Sequence, residues 1–515
     1  MYNLGMFVRK KSNKSGSVSV QIISKKHSLY KVVKTIGSSS DPDEIELLVL
    51  KAKAIVHQPS KLQGKLFAFE SKKDKIIRNF VNNLSNSNIH TLGPELIFGT
   101  LFDRIGFNTI KDDLFRHITI ARLVYPTSKL KTVDYLYRYR GIRISVDQLY
   151  RFLDRLGSKH KLKAETIAYQ YTKKRLKTIS VVFYDMTTLY FEAEDEDDLR
   201  KTGFSKDGKF QKPQIMLGLL VGEHGLPINY HIFKGNTFEG HTLIPMLKEA
   251  QQKYGFKKPT VIADSALLSK ENLKNLSKQQ YRFIIAGRIK NESDKIKFKI
   301  LKKAEGIKDG EGFSIKKNNN IRLVVTYSDK RAKKDNYNRQ RGLRKLCKRI
   351  KSGRLTKQNI NNRGYNKFLI LKGKITIKID EDKVRQDRYW DGLKGYVTNT
   401  RLSYKKIVEN YSHLWQIEKA FRISKTDLKI RPIYHRLYNR IEAHICIAFT
   451  AYTIYKELER LLYKHKVVMS PKRAAELTQN MYELEFTLSE SIENRKVLLK
   501  MDKEQKKLYR VIHNI

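Results

Sequence analysis

At 515 residues the chain is too long for one compact core, and about two to four domains are expected. Hydrophobic residues at 40% and aromatics at 10% exclude a disordered basic protein. The formal net charge of +52, from 104 Lys and Arg against 52 Asp and Glu, is self-repelling unless a polyanion neutralises it. Nucleic acid is the first candidate partner and a membrane surface the second.

A transmembrane span is not expected, because no apolar run reaches about 18 residues. The opening MYNLGMFVRKK lacks the apolar stretch of a signal peptide. Cys347 and Cys446 lie in unrelated segments without zinc-ligand spacing, so a reducing, cytoplasmic setting is expected.

In chain order, residues 1–90 read as a small β element plus a helix. Residues 7–37 alternate apolar and polar positions around Gly16. Asp41-Pro42-Asp43-Glu44 then starts a helix over 44–56, with a cap, a Pro at the first position and an acid in the first turn. Residues 60–90 are polar and carry no clear period.

Residues 91–178 have helical periodicity. Segments 128–139 and 145–156, joined by Arg140-Gly141-Ile142-Arg143, have the form of a helix–turn–helix with Ser145 as cap. A DNA-reading helix and plain helical packing both fit this pattern.

From 179 to 288 the pattern becomes α/β. VVFYDMTTLYFE is a strand over 181–191. Strands over 213–222 and 226–234 complete an antiparallel meander. Helix 241–254, strand 260–263, helix 270–279 and strand 281–288 then make two βα units, the fourth strand able to lie beside the first.

Residues 289–400 hold short strands (321–327, 367–371, 375–379) around a very basic helix. Between Arg331 and Arg354 there are eleven Lys or Arg and one acid, Asp335. Arg339, Arg341, Arg344, Lys345 and Lys348 are candidate contacts to backbone phosphates. A solvated charged face is the plainer alternative. Helical periodicity returns over 401–465, and the tail, 466–515, is charged and expected to be helical.

Three acids stand at informative places: Asp185 at the end of the first strand, Asp264 at the end of the fourth, and Glu418 on a helix. Neighbouring strands would put the two aspartates in one site, and a helix crossing the sheet could add Glu418. Oxygen-only ligands suit Mg²⁺ or Mn²⁺. Two such ions can activate an attacking oxygen and stabilise the leaving oxygen of a phosphodiester. Tyr411 and Lys425 each lie two helical turns from Glu418, on its face, and Arg422 borders that face. An exposed Glu–Arg pair at i,i+4 is the ordinary reading of Glu418 and Arg422. The acidic run from Glu192 to Asp198 is a competing metal site, set aside because it reads as a solvated loop. His241, His435 and His444 read equally well as packing residues.

In this order, FYDMTTLYFE, GLPINYHIFKGNTFEGHTLIPML, VIADSALLS, YWDGLKGYVTNT, LWQIEKAFRISKTDL and RPIYHRLYNRIEAH resemble the DDE transposases of bacterial insertion sequences. The resemblance covers about 181–458, to the branch with a Tyr–Arg–Glu–Lys signature. It implies a multidomain α+β protein with a ribonuclease-H-like mixed-sheet core in two parts, 179–288 and 401–465. A β-rich insertion domain would fill 289–400, with a helical DNA-binding region before the core. It also implies that Asp185, Asp264 and Glu418 are catalytic and hold two metal ions, and that Tyr411 and Lys425 hold DNA phosphates. The signature's Arg position falls on Leu414, and Arg422 is the candidate substitute. The expected activity is cleavage at terminal inverted repeats and joining of the 3′-hydroxyl to target DNA. A homodimer would act on double-stranded DNA in the bacterial cytoplasm at the nucleoid, with no membrane or small-molecule substrate. A metal-dependent nuclease without strand transfer and an inactive DNA-binding relic are the alternatives.

Overall fold

The computed structural model describes residues 6–26, 29–57, 72–206, 208–255, 257–318, 320–353, 355–372, 376–487 and 494–513. It divides into two units, Met1–Ile89 with Glu483–Val497, and His90–Tyr482 with Leu498–Ile515.

In the smaller unit, strands Met6–Ser12, Val18–Lys26 and Leu29–Ser39 form an antiparallel sheet, as the alternation around Gly16 predicts. Asp41 accepts the Asp43 amide at 2.9 Å and starts helix Pro42–His57, whose Ala52 closes on Val20 and Ile22. Of the unassigned stretch, 60–71 lies outside the described residues and Lys72–Asn83 is a helix. The expectation of a wholly helical tail is corrected. Pro471–Thr478 and Lys503–His513 are helices, but Tyr482–Thr487 and Asn494–Leu498 are paired strands. Polar and apolar residues alternate through YELEFT, and Phe486 meets Phe80 edge-on at 5.1 Å. The tail's high charge hides that short period.

In the larger unit a π-helical turn, Glu95–Gly99, and a short helix, Thr100–Ile105, lead into helices α1 (Asp113–Val124), α2 (Lys129–Arg140), α3 (Val146–Arg155) and α4 (Lys161–Leu176). Each of α1, α2 and α3 starts on a side-chain cap: Asp112, Ser128 and, in a reciprocal box with Gln148, Ser145. Gly141, at φ 66°, ends α2 in the left-handed conformation that glycine adopts freely. The α2–turn–α3 pair is the helix–turn–helix expected from sequence. Leu149, Phe152 and Leu153 of α3 are buried.

Eight strands make one sheet: β1 (Val181–Tyr190), β2 (Gln214–Val221), β3 (Pro227–Lys234), β4 (Thr260–Ala263), β5 (Arg282–Gly287), β6 (Gly312–Lys316), β7 (Arg322–Tyr327) and β8 (Leu393–Thr398). Their spatial order is β6-β7-β8-β5-β4-β1-β2-β3. The first three are an antiparallel meander, β4 is parallel to β1, and β5 is parallel to β4. Both faces are covered, so β2 is buried at every position. Helices α5 (Leu243–Tyr254) and α6 (Lys270–Lys278) share a core with Val182, Tyr184 and Met186 on one face.

Two expectations are corrected by this sheet. Asp185 does not end β1: antiparallel pairing with β2 continues through Asp185–Leu219 as far as Tyr190. Only the parallel pairing with β4 stops there, at Tyr184–Ala263. The boundary expected at 289 does not separate two sheets either, because β8 hydrogen-bonds to β5 and β7 and β6 follow. Outside that sheet, helix Asp294–Ala304 precedes β6, and between β7 and β8 lie α7 (Asp329–Lys351), the hairpin Leu369–Lys372 with Thr376–Ile379, and helix Glu381–Arg388. The last three share a small core of their own. These pack on Leu346, Phe368, Leu369 and Val384. Of the strand expected over 375–379, Ile375 lies outside the described residues.

The segment expected as one helix from Ser403 is broken. It forms α8 (Tyr404–Ser412), α9 (Trp415–Arg422) and a wider, π-helical turn, Ile423–Asp427. The last long helix, α10 (Tyr438–Lys464), is buried at every position from Ile441 to Leu458 and packs on α1, α3 and α4. Its acids are matched in place: Glu442 by Lys161 at 2.7 Å and Glu457 by Arg175 at 3.0 Å. Among the described residues, no helix is long and apolar enough to cross a membrane.

Candidate active site

Register sets the site. Because Tyr184 pairs with Ala263, Asp185 and Asp264 each stand one residue beyond the last parallel pair. Adjacent strands lie about 4.8 Å apart, so the two carboxylates start from neighbouring backbone positions. Alternation places Asp185 on the face of Phe183, Leu189 and α10, opposite α5 and α6. Helix α9, which carries Glu418, packs on β1 and β2.

Asp185 is half-buried and accepts the Met186 amide at 2.7 Å. Burial raises its carboxyl to about 6, helped by the charges of Glu239 and Asp264 and opposed by Lys206. Lys206 Nζ stands 3.9 Å from Asp185, pairs with Glu239 at 2.5 Å and donates to the Met186 carbonyl at 2.7 Å. Asp264 is exposed and accepts the Ser265 amide at 2.5 Å, capping the turn Ser265–Leu267. Glu418 is exposed in the first turn of α9. No ion pair joins Glu418 to Arg422 among the described residues, so the ordinary i,i+4 pair is not formed.

Tyr411 is buried at the end of α8, not on the helix of Glu418, so the even two-turn spacing does not hold. It nevertheless stands in the field of Asp264, Glu418 and Asp185, which add to burial in raising its phenol well above the usual value. Its ring meets Tyr396 edge-on at 5.0 Å and carries Lys394 Nζ 4.2 Å above it. Lys425, on the π-helical turn, is lowered to about 8 by burial and by Lys206, with Asp185 opposing. Leu414 is buried and Arg422 is exposed. A cleft of about 800 Å³ opens beside Asp264, lined among others by Arg288, Lys290, Arg331, Lys394 and Tyr411.

The basic helix α7 divides. Arg341, Arg344, Lys345 and Lys348 are exposed at helical spacing and have no ion-pair partner among the described residues. Arg339 is corrected: it is 3% exposed and turned inward, with Nη1 2.6 Å from Asp391 and 3.4 Å from Asp387. It anchors α7 to the segment before β8. Two acids of the acidic run are held locally, Asp197 by Arg200 at 2.6 Å and Glu196 by the Thr202 amide at 2.7 Å. His435 and His444 are buried together, with ring centroids 5.6 Å apart, and His241 is exposed. In the Lys234–Thr237 turn, a Cβ on Gly235 would meet the carbonyls of Gln214 and Lys201, so that glycine serves chain packing.

Sequence reasoning missed Lys206, Glu239 and Lys394. Lys394 lies within the segment YWDGLKGYVTNT; Lys206 carried no signal, since its loop folds back on β1 only in three dimensions. Among the described residues no three His, Cys, Asp or Glu side chains converge closely enough to hold a metal ion. The acids share a neighbourhood without forming a closed ligand set.

Residues 176–454 match the family described as "Transposase DDE domain". The match covers more than half the chain, which therefore belongs to that family and is a DNA-cleaving and DNA-joining enzyme. No curated protein matches. Among solved structures, a piggyBac transposase synaptic complex with hairpin DNA is similar at 10% identity and TM-score 0.38, over 75% of this chain and 76% of that one. A Mos1 transposase paired-end complex with left transposon end aligns at 13% identity and TM-score 0.16, over 35% of this chain and 57% of that one. The Mos1 strand transfer complex aligns at 10% identity and TM-score 0.16, over 47% and 68%. All three superpositions are poor.

Proposed function

We propose that the protein is the transposase of a bacterial insertion sequence, with Asp185, Asp264 and Glu418 as its catalytic acids. The observation that carries this reading is the Tyr184–Ala263 pair, which sets two aspartates side by side on parallel strands under the helix of Glu418. A meander followed by two parallel strands supports a ribonuclease-H-like core, with 329–391 as the inserted part before the Glu-bearing helix. The substrate would be double-stranded DNA, first the element's terminal inverted repeats and then a target. Two copies of the chain would hold two ends in the bacterial cytoplasm.

The donor set fits Mg²⁺ or Mn²⁺: only carboxylate oxygens are offered, and the burial that raises Asp185, with the smaller repulsion of Glu239 and Asp264, is a cost to its charge that a bound cation relieves. Asp185, Asp264 and Glu418 would hold two such ions, which when bound supply an activated attacking oxygen and stabilise the leaving one. Tyr411 keeps its proton and donates a hydrogen bond to a phosphate oxygen. Lys425 and Lys394 offset phosphate charge from two sides, with Arg422 at the rim. Arg341, Arg344, Lys345 and Lys348 bind the backbone farther out.

The test is cleavage of DNA carrying the element's ends, with Mg²⁺ or with EDTA, by wild type and by Asp185→Ala, Asp264→Ala and Glu418→Ala. Loss in each variant supports the reading, and cleavage that survives all three removes it. Pre-cut ends supplied with target separate a transposase, which joins them, from a nuclease, which does not.

A further inference from the structure

Where α1 and α2 meet the loop after the π-helical turn, a cavity of about 570 Å³ is lined by cations. Arg122 of α1 and Lys129 of α2 are 5% and 6% exposed. Lys129 Nζ has no hydrogen-bond partner among the described residues. Arg122 reaches only the carbonyls of Leu428 and Lys429, at the long distances of 3.4 and 3.5 Å. Lys429, Arg431 and His435 line the same space. Asp154, the acid whose field reaches His435, is already held by Arg440 at 2.8 and 2.9 Å.

Buried cations without a counter-charge are costly, and native interiors normally pair them. Burial lowers Arg122 to about 10; burial and then Arg122 lower Lys129 well below lysine's usual value. His435 is held at about 3 by burial and then by Lys129, Arg440 and Arg122, so it stays neutral. His444 gives its Nε2 to the Ile430 carbonyl at 2.8 Å. With the imidazoles neutral or engaged, the buried donors left to face an anion are Arg122 and Lys129, beside Lys429 and Arg431. The N-terminal turn of α2, twelve residues long and capped by Ser128, opens on the same cavity. Its amides and dipole favour an anion there.

We propose that this cavity is a phosphate site, and that its occupant is one backbone phosphate of bound DNA. Lys129 Nζ, the Arg122 guanidinium and the α2 amides would donate to the phosphate oxygens. Its position follows from β1. Ile433 of the cavity loop bridges Phe191, the residue after β1. Asp185 lies six residues back along that strand, on the order of 20 Å. A DNA strand covering that span passes about six nucleotides. Only the source of the phosphate rests on the transposase reading.

The test uses the full chain. Thermal denaturation in inorganic phosphate against chloride at equal ionic strength is expected to raise the wild-type Tm by about 3 °C. Lys129→Met is expected to lose that rise while its Tm in chloride equals or exceeds wild type, because an unmatched buried charge has gone. Phosphate-ethylation interference on an end duplex is expected to find one sensitive phosphate about six nucleotides from the cut, insensitive in Lys129→Met. A phosphate response without that position supports the site and assigns it to a soluble anion. A wild type with no phosphate response, and a Lys129→Met variant with an unchanged footprint, would together overturn it. So would a Lys129→Met variant that is destabilised yet keeps the phosphate response, which marks Lys129 as structural. If the transposase reading fails instead, wild type does not bind the ends and the inorganic phosphate response remains.

Discussion

Tyr184 and Ala263 form the last parallel pair between β1 and β4, and an aspartate follows each of them. The two negative charges are thereby held together before any ligand arrives.

Asp185 should accordingly destabilise the metal-free fold when ionised. Its folded pKa, about 6, lies above the ordinary carboxyl value. For a raised acid, the folded state is favoured below the ordinary value and loses stability as pH rises through 6. Asp185→Asn is expected to stabilise the metal-free protein by about 1 kcal/mol at pH 7.5 after allowing for solvent screening, and not at pH 4. Denaturant melts with EDTA at both values check this; equal effects at both would refute it.

Lys425 gives the opposite sense. Lowered to about 8, it carries its charge at neutral pH and sheds it as pH rises. Affinity for end DNA should fall between pH 7 and 9 in wild type, and fall less in Lys425→Arg, whose guanidinium stays charged. Fluorescence anisotropy across that range measures both slopes.

Arg339 separates from the other basic residues of α7. Arg339→Ala leaves Asp391 without its guanidinium, while Asp387 keeps Lys290 and Lys367; the loss should cost about 3 kcal/mol locally, seen as faster amide exchange across α7. Arg341→Ala, Arg344→Ala, Lys345→Ala and Lys348→Ala should leave exchange unchanged. Each that contacts a phosphate should reduce the salt slope of DNA binding by about one.

Tyr411 has a ring that packs and a hydroxyl that does not need to. Tyr411→Phe should keep the Tm and slow cleavage by about 10- to 100-fold, the range for a lost hydrogen bond to a charged group. Tyr411→Ala should also destabilise, because Tyr396 and Lys394 lose the surface they rest on. Wild-type cleavage by Tyr411→Phe would take the hydroxyl out of the chemistry.

The aspartates were legible because strand periodicity locates strand ends and short turns restrict which strands can be neighbours. Asp264 falls where that reasoning puts it. Asp185 falls in the right register but within β1, since the antiparallel partner that carries the strand onward, β2, is visible only once pairing is known. The face shared by Tyr411, Glu418 and Lys425 failed for a different reason. Helical spacing presumes one unbroken helix, and no proline or glycine marks the change at Leu414 or the wider turn at Ile423–Asp427. Arg339 shows the limit of reading charge: eleven cations between Arg331 and Arg354 look alike until one finds Asp391. The strands over 482–498 were hidden the same way, by charge on a short alternating segment.

The bridge between Phe191 and Ile433 makes β1 a ruler. Between Asp185 and Tyr190 every residue of the strand is paired with one of β2, so its length cannot be adjusted from one substrate to the next. Any mismatch between the spacing of two backbone positions and the spacing of two protein sites would have to be absorbed by bending or unstacking the DNA. Sequences that deform easily between those positions would then be cut in preference to stiff ones, without a side chain reading a single base between them.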